Sequence, residues 1–178
     1  MRREKPDRLR LLVLNAAMMA LALVLPVAFH AVGLGSKFLP MLLPLLLNGF
    51  LSPWRWAVVT GAAAPLVSSL LTGMPPLYPP VALIMSAEGM ALGGVAAALY
   101  RVCGRRLWPA LLAAVVCGRA TTLLLTWTLA RSFELPPGAT SAAVLLQGLP
   151  GVVLQLAVVP VALRALSKRD SLLFNHER

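Results

Sequence analysis

A run of twenty residues, Val81–Tyr100, reads VALIMSAEGMALGGVAAALY and carries one charged side chain, Glu88. A helix needs about 20 apolar residues to cross the hydrocarbon core of a bilayer. Because an unpaired backbone amide costs several kcal/mol in hydrocarbon, a crossing segment must be a helix or part of a closed barrel. The run lacks the apolar–polar alternation of a barrel strand. It therefore predicts a transmembrane helix.

Five further apolar runs lie on both sides of this one, between charged residues and clusters of proline and glycine. They cover residues 9–30, 38–51, 54–71, 109–130 and 142–163. The run 38–51 is short and contains Pro40 and Pro44, which favours a tilted or kinked segment partly shielded from lipid by its neighbours. We expect an all-α membrane protein, with six transmembrane helices in one compact bundle that forms a single domain over residues 1–178.

The overall composition agrees with a lipid environment. Hydrophobic residues make up 59% of the chain and charged residues 12%. Soluble domains contain about 45–50% apolar and about 25% charged residues. The net charge of +10 does not predict nucleic-acid binding, because the basic residues lie between apolar runs and form no clustered, water-exposed face. Cys103 and Cys117 fit neither a disulfide nor a zinc site, so we interpret both as packing residues.

The basic residues also predict how the chain is oriented. Of the 16 Lys and Arg residues, 13 lie before or at the start of the first run, at the start of the third run, between the fourth and fifth, or after the sixth. Only Lys37 and Arg131 lie in the other connections, and Arg119 lies inside the fifth run. Since cytoplasmic loops carry the excess of positive charge, both termini are expected in the cytoplasm. The loops around Gly33, Pro75 and Pro136 are then expected outside.

Glu88 and Arg119 are the charged residues that lie well inside the predicted spans, away from the span ends. Each costs roughly 2.5–3.5 kcal/mol at the centre of a lipid-exposed helix, so both are expected to face the bundle interior. At about 1.5 Å of rise per residue, their depths allow them to meet. Two interpretations remain open: an ion pair that packs two helices together, or a pair that also contacts a bound solute.

Two later runs carry polar stripes along one helix face. The stripes are Arg119, Thr122 and Thr126, with Trp127 beside them, and Gln147, Gly151 and Gln155. They predict either a cavity open to the outside or hydrogen bonds between helices, which are common in membrane bundles. His30 lies at the predicted outer end of the first run. Two interpretations are open for it: an interfacial residue without a function, or a contact to a ligand.

Two pairs of small residues are spaced four apart, Ala16 with Ala20 and Gly89 with Gly93. This spacing removes side-chain bulk from one helix face and lets another helix approach closely. The sequence contains no phosphate-binding loop of the form GxxxxGK[ST], no HExxH and no GxSxG motif. Neither ATP hydrolysis nor a familiar hydrolase activity is therefore predicted for this chain.

Several short motifs of glycine, proline and polar residues follow one another along the chain. They are FHAVGLG at 29–35, FLPMLLP at 38–44, LTGMPPL at 71–77, Glu88-Gly89, Gly118-Arg119, and GLPG at 148–151 with Gln155. In this order the chain resembles the substrate-specific S components of energy-coupling factor (ECF) vitamin transporters, over about Asn15 to Pro160. Many relatives have a histidine where this chain has Leu42, so no role of that histidine is transferred.

The resemblance implies a six-helix subunit of a bacterial cell membrane that binds a vitamin or related micronutrient in an outward-facing pocket. It implies binding residues in the outer loops and in helices four to six: His30, Gly33, Thr72, Met74, Tyr78, Glu88, Arg119, Thr122, Trp127 and Gln147. It also implies a membrane T component and two cytoplasmic ATPases as partners, with Ala16 and Ala20 as the docking face. The S component is thought to topple in the membrane to release solute, and no cofactor or metal is expected in this chain.

Two other functions are weighed against this one. A self-sufficient secondary carrier typically shows an inverted repeat with broken helices in matching positions, and we find no such repeat. An intramembrane enzyme needs a nucleophile with a base, a metal cluster or paired acids inside the spans. Only Glu88 and Arg119 are charged there, which disfavours an enzyme.

The charge asymmetry predicts that the loop 72–80 faces outward. A single cysteine at Leu77, with Cys103 and Cys117 replaced by serine, should react with a membrane-impermeant maleimide added to intact cells. The control is a single cysteine at Arg106, which should react only after the membrane is permeabilised. The reverse pattern would contradict the orientation.

Overall fold

The computed structural model describes residues 8–31, 33, 35–78, 80–132 and 142–174, without the side chains of 36–37, 130–132, 142–147 and 168–174. Within these ranges the chain is helical and contains no strand. Its helices are α1 (Arg8–Ala31), α2 (Gly35–Phe38), α3 (Leu42–Leu51), α4 (Trp54–Thr72), α5 (Val81–Val102), α6 (Leu107–Ser132) and α7 (Ala142–Phe174).

Four of these helices, α1, α5, α6 and α7, are long and apolar enough to cross a bilayer. This confirms a membrane protein of the all-α class. Helix α4 has 19 residues but is more polar, because it carries Arg55, Thr60, Ser68 and Ser69. The count of six spans and the cytoplasmic position of both termini stay predictions.

The predicted second span, 38–51, is not one continuous helix. Helix α2 ends at Phe38 and α3 begins at Leu42, with Leu39 between them at a positive φ of 46°. Because the residue before a proline is disfavoured in the α region, Pro40 interrupts the helix at Leu39. The ten residues of α3 rise about 15 Å, half of the bilayer core. Eight of the ten are buried, so the expected shielding from lipid is confirmed.

Helices α3 and α4 both lie against α5 with main chain touching main chain. A Cβ atom added at Gly89 would come within 2.6 Å of the Gly61 carbonyl oxygen of α4. One added at Gly49 of α3 would come equally close, 2.6 Å, to the Gly93 carbonyl oxygen. The expectation that Gly89 and Gly93 admit another helix is therefore confirmed, and the neighbours are α3 and α4.

A buried polar cluster ties α1 to the same helices. Asn48 donates to the Asn15 Oδ1 atom at 2.8 Å, and Thr60 donates to the same oxygen at 3.0 Å. Asn15 donates to the Ser52 hydroxyl at 3.1 Å, and that hydroxyl donates to Asn48 at 2.7 Å. Burying these groups is favourable only when they are hydrogen-bonded to one another. The cluster thus fixes the position of α1 on α3 and α4.

The contact between Gly61 and Gly89 predicts an unequal cost for two matched substitutions. Gly61→Ala should lower the free energy of unfolding by about 1–3 kcal/mol, because its Cβ would overlap the Gly89 main chain. The control is Gly94→Ala on the same helix pair, where the Cβ would meet one methyl group of Val58 at 2.9 Å. It should be nearly neutral, because alanine also favours the helix by up to about 1 kcal/mol. Thermal unfolding in detergent measures both, and equal effects would contradict the close packing.

Candidate functional site

Glu88 of α5 and Arg119 of α6 form an ion pair in the interior of the bundle. The Glu88 side chain is 3% exposed and that of Arg119 16% exposed. The expectation that these two charges pair is therefore confirmed. A buried pair is costly to break from one side, since the remaining charge is left uncompensated in a medium of low dielectric constant.

Close packing of α5 on α6 positions this pair. Gly118 precedes Arg119 directly, and a Cβ atom there would lie 2.7 Å from Cγ of Leu92 on α5. The bare helix face at Gly118 therefore lets the two helices approach one turn away from Glu88. Thr122 follows Arg119 along the same face, and its hydroxyl donates to the Gly118 carbonyl oxygen at 3.3 Å.

Helix α7 and the break between α2 and α3 form the other side of the site. A Cβ atom added at Gly148 would lie 2.8 Å from the Arg119 Nη1 atom and 3.5 Å from a methyl carbon of Leu39. One added at Gly151 would lie 2.6 Å from the Phe38 carbonyl oxygen. The two glycines thus leave room on α7 for the arginine and for the interrupted chain. The break in the predicted second span is a wall of the site.

Several buried polar atoms of these helices have no hydrogen-bond partner among the described residues. They are the Ser86 hydroxyl, the Arg119 Nε atom and both side-chain amide atoms of Gln155. Gln155 is only 1% exposed. Buried polar groups are nearly always paired in proteins, so each such atom is a candidate contact for a ligand or a water molecule.

Sequence reasoning did not name Ser86 or Gln155 as binding residues. The sequence does contain an indication for Gln155, because this residue shares a polar stripe with Gly151, which the structure places at the edge of the site. Nothing in the sequence indicates that Ser86 is buried, since a single serine in an apolar helix is equally common on an exposed face. Its burial depends on which neighbours α5 acquires.

The predicted residues of the outer loops make hydrogen bonds within their own turns. The His30 Nδ1 atom lies 2.8 Å from the Pro26 carbonyl oxygen. Gly33, at a φ of 72°, donates its amide to the His30 carbonyl oxygen at 3.0 Å. In the turn after α4, the Thr72 hydroxyl donates to Ser68 at 2.8 Å and accepts the Met74 amide at 3.3 Å. These contacts shape the loops.

The remaining predicted residues do not extend the buried site. Tyr78 is 72% exposed and Trp127 is 54% exposed, while Thr72 and Met74 are exposed as well. The side chain of Gln147 lies outside the described residues. Of the predicted binding residues, the structure therefore gathers Glu88, Arg119 and Thr122 at one place. Ligand contact by any of them stays a prediction.

Comparison with protein families gives a match over residues 10–163 to the family described as ECF transporter, substrate-specific component. The chain belongs to this family. No curated protein and no solved structure matches it significantly. Its function as the substrate-specific subunit of an ECF transporter, and its class as a multi-pass membrane protein, follow from the family and from the apolar helices. Substrate-specific components are transporter subunits and not enzymes.

Position 42 has a structural role in this chain. Leu42 stands where the resemblance led us to expect a histidine, and its side chain is fully buried, at 0% exposure, in the apolar core. A polar imidazole at this position would need a buried partner. In this S component the position contributes packing of α3.

The ion pair predicts strong coupling between Glu88 and Arg119. Glu88→Gln or Arg119→Gln alone should each cost about 3–5 kcal/mol, because each strands a buried charge. The double variant should cost clearly less than the sum of the two. The matched control combines Glu88→Gln with Arg164→Gln, which removes an exposed arginine of α7, and these effects should add. Thermal unfolding in detergent measures each step, and additivity of the Glu88 and Arg119 effects would show that the two are independent.

Proposed function

We propose that this S component captures a vitamin or related micronutrient from outside the cell and delivers it inward when docked on a T component with two cytoplasmic ATPases. The observation that supports the binding step best is the Glu88–Arg119 pair, which is buried between α5 and α6 and leaves the Arg119 Nε atom without a hydrogen-bond partner among the described residues. In a chain of this family, such an arrangement fits a solute site better than packing alone. The proposed location is the bacterial cell membrane, with both termini in the cytoplasm.

The chemistry of the site limits the class of solute. Arg119 supplies N–H donors and Glu88 supplies acceptors, while the buried Gln155 amide, on the Gly151 face of α7, can do both. A neutral heterocycle with mixed donors and acceptors, a carboxylate or a zwitterion could exchange hydrogen bonds with this set. The pair neutralises itself when no solute is bound, so the site needs no counter-ion in the empty state.

The surface of α1 supports a separate docking step. Ala16 and Ala20 are both exposed, whereas α1 turns Asn15, Met18 and Ala22 toward its own bundle. A partner helix could therefore approach the alanine face closely without disturbing the internal packing. The sequence contains no nucleotide-binding loop, so the energy for transport would come from the partner ATPases.

Bulky side chains on this face should separate binding from transport. Ala16→Trp with Ala20→Trp should leave ligand affinity in detergent unchanged but abolish co-purification with a T component and ATP-dependent uptake. The matched control is Ala17→Trp with Leu21→Trp, which places two tryptophans on an adjacent exposed strip of the same helix. It should keep both activities.

The outcomes separate the possible explanations. Normal uptake by the Ala16 and Ala20 variant would overturn the docking assignment, and uptake in cells that lack the ATPases would favour a self-sufficient carrier. A thermal shift with the co-purified ligand, identified by mass spectrometry, shows whether each variant is folded. Absence of any bound micronutrient in the wild-type protein and in uptake assays would overturn the proposed substrate class.

A further inference from the structure

A cavity lies toward the other end of α5 from the Glu88–Arg119 pair. It has a volume of about 280 Å³ and lies where α3 and α5 end, next to the second half of α7. Its wall consists of Phe50, Leu51, Tyr100, Arg101, Arg105, Leu163, Leu166 and Ser167. Arg101 follows Glu88 by thirteen residues on α5, which corresponds to about 20 Å along the helix. The cavity is therefore separate from the candidate solute site.

The first cation of this cavity is held in place by the main chain. The Arg101 guanidinium donates to the Ala97 carbonyl oxygen at 2.7 Å and to the Ser52 carbonyl oxygen at 2.6 Å. These bonds use two of the five N–H donors of the group. Ser52 in turn belongs to the polar cluster that joins α1 to α3. The guanidinium is thus fixed at the cavity wall with donors remaining for an anion.

The second cation is brought to the cavity by the turn that ends α5. Gly104 and Arg105 both have positive φ values, 62° and 64°, and the Arg105 amide donates to the Tyr100 carbonyl oxygen at 2.8 Å. This turn places Arg105 in the same cavity wall as Arg101. Two like charges at one cavity repel each other unless an anion lies between them.

No carboxylate among the described side chains faces this cavity. Glu88 is the one acidic side chain that the structure describes, and it pairs with Arg119. The rest of the cavity wall is largely apolar, with Phe50 packed edge-on against Tyr100 at a centroid distance of 5.1 Å and with Leu163 and Leu166 of α7. Among the described side chains, the cavity therefore combines a cationic side that faces no carboxylate with an apolar side, which suits an amphiphilic anion.

We propose that this cavity binds the phosphate headgroup of an anionic phospholipid of the cytoplasmic leaflet. The phosphate would lie between Arg101 and Arg105, and the start of the acyl chains would lie along Leu163 and Leu166. The cavity is at the end of the bundle that carries most of the Lys and Arg residues, which the charge asymmetry places at the cytoplasmic surface. Basic pockets between helices on that side are suited to anionic headgroups. A free phosphate ion would leave the apolar wall in contact with water, so the lipid fits better.

The test compares two neighbouring arginines in the full-length chain, purified in an uncharged detergent. Arg105→Asn removes the second cation of the cavity and leaves Arg101 in place, and asparagine tolerates the positive φ at this position. The matched control, Arg106→Asn, removes the same charge from the same loop outside the cavity wall. Native mass spectrometry with added phosphatidylglycerol or phosphatidylcholine gives the affinity of each protein for each lipid.

The wild-type protein should bind phosphatidylglycerol at least tenfold more tightly than phosphatidylcholine. Arg105→Asn should lower the phosphatidylglycerol affinity by roughly tenfold or more, because it removes a charged hydrogen-bond donor. Arg106→Asn should lower it by about fivefold or less, as expected for general attraction to an anionic surface. Arg105→Lys, which keeps the charge, should retain most of the preference, and melting temperatures without lipid should show that all variants are folded.

Four results would overturn the proposal. Equal losses for Arg105→Asn and Arg106→Asn would mean surface attraction only. Inorganic phosphate that stabilises the protein as much as the lipid does would mean a free anion. Phosphatidylglycerol binding that appears only in Asp170→Asn would mean that a carboxylate of the chain fills the cavity. If Arg105→Asn no longer co-purified with a T component while its lipid binding was unchanged, the cavity would be a protein contact.

Discussion

Direct contact between helix backbones holds the centre of this protein together. Gly61 and Gly89 remove the side chains that would separate α4 from α5, and Gly49 with Gly93 does the same for α3. In lipid, helices gain little from the hydrophobic effect and depend on close van der Waals contact. Because Glu88 directly precedes Gly89, the packing that joins these helices also sets the position of the buried carboxylate.

The interior that this packing creates holds two kinds of polar group. The cluster around Asn15 is internally satisfied and joins α1 to its neighbours, so it serves the fold. The site around Glu88 and Arg119 is incompletely satisfied, because the Arg119 Nε atom has no partner in the described part of the chain. This difference separates a structural cluster from a candidate binding site, even though both consist of the same residue types.

The solute binding, partner docking and lipid binding proposed here involve different surfaces of one small bundle. The proposed solute site lies between α5, α6 and α7, the proposed docking face is the open alanine strip of α1, and the basic cavity lies where α3 and α5 end. Arg101 contacts the main chain at Ser52, whose hydroxyl bonds to Asn15 next to the alanine strip. The basic end and the docking face are thus linked by hydrogen bonds, which gives a physical route by which lipid and partner could influence each other.

The sequence by itself determined the class of the protein and the pairing of its buried charges. Long apolar runs can only be helices in a bilayer, and two opposite charges at similar depth gain most by meeting. Pro40 already predicted a kink in the run 38–51, whereas tertiary structure alone decided that the break at Leu39 lies against α7 and that Ser86 is buried. The reason is that nearly uniform apolar helices do not mark which face turns inward. Burial there depends on which neighbours pack against each helix, and only the folded chain brings those neighbours together.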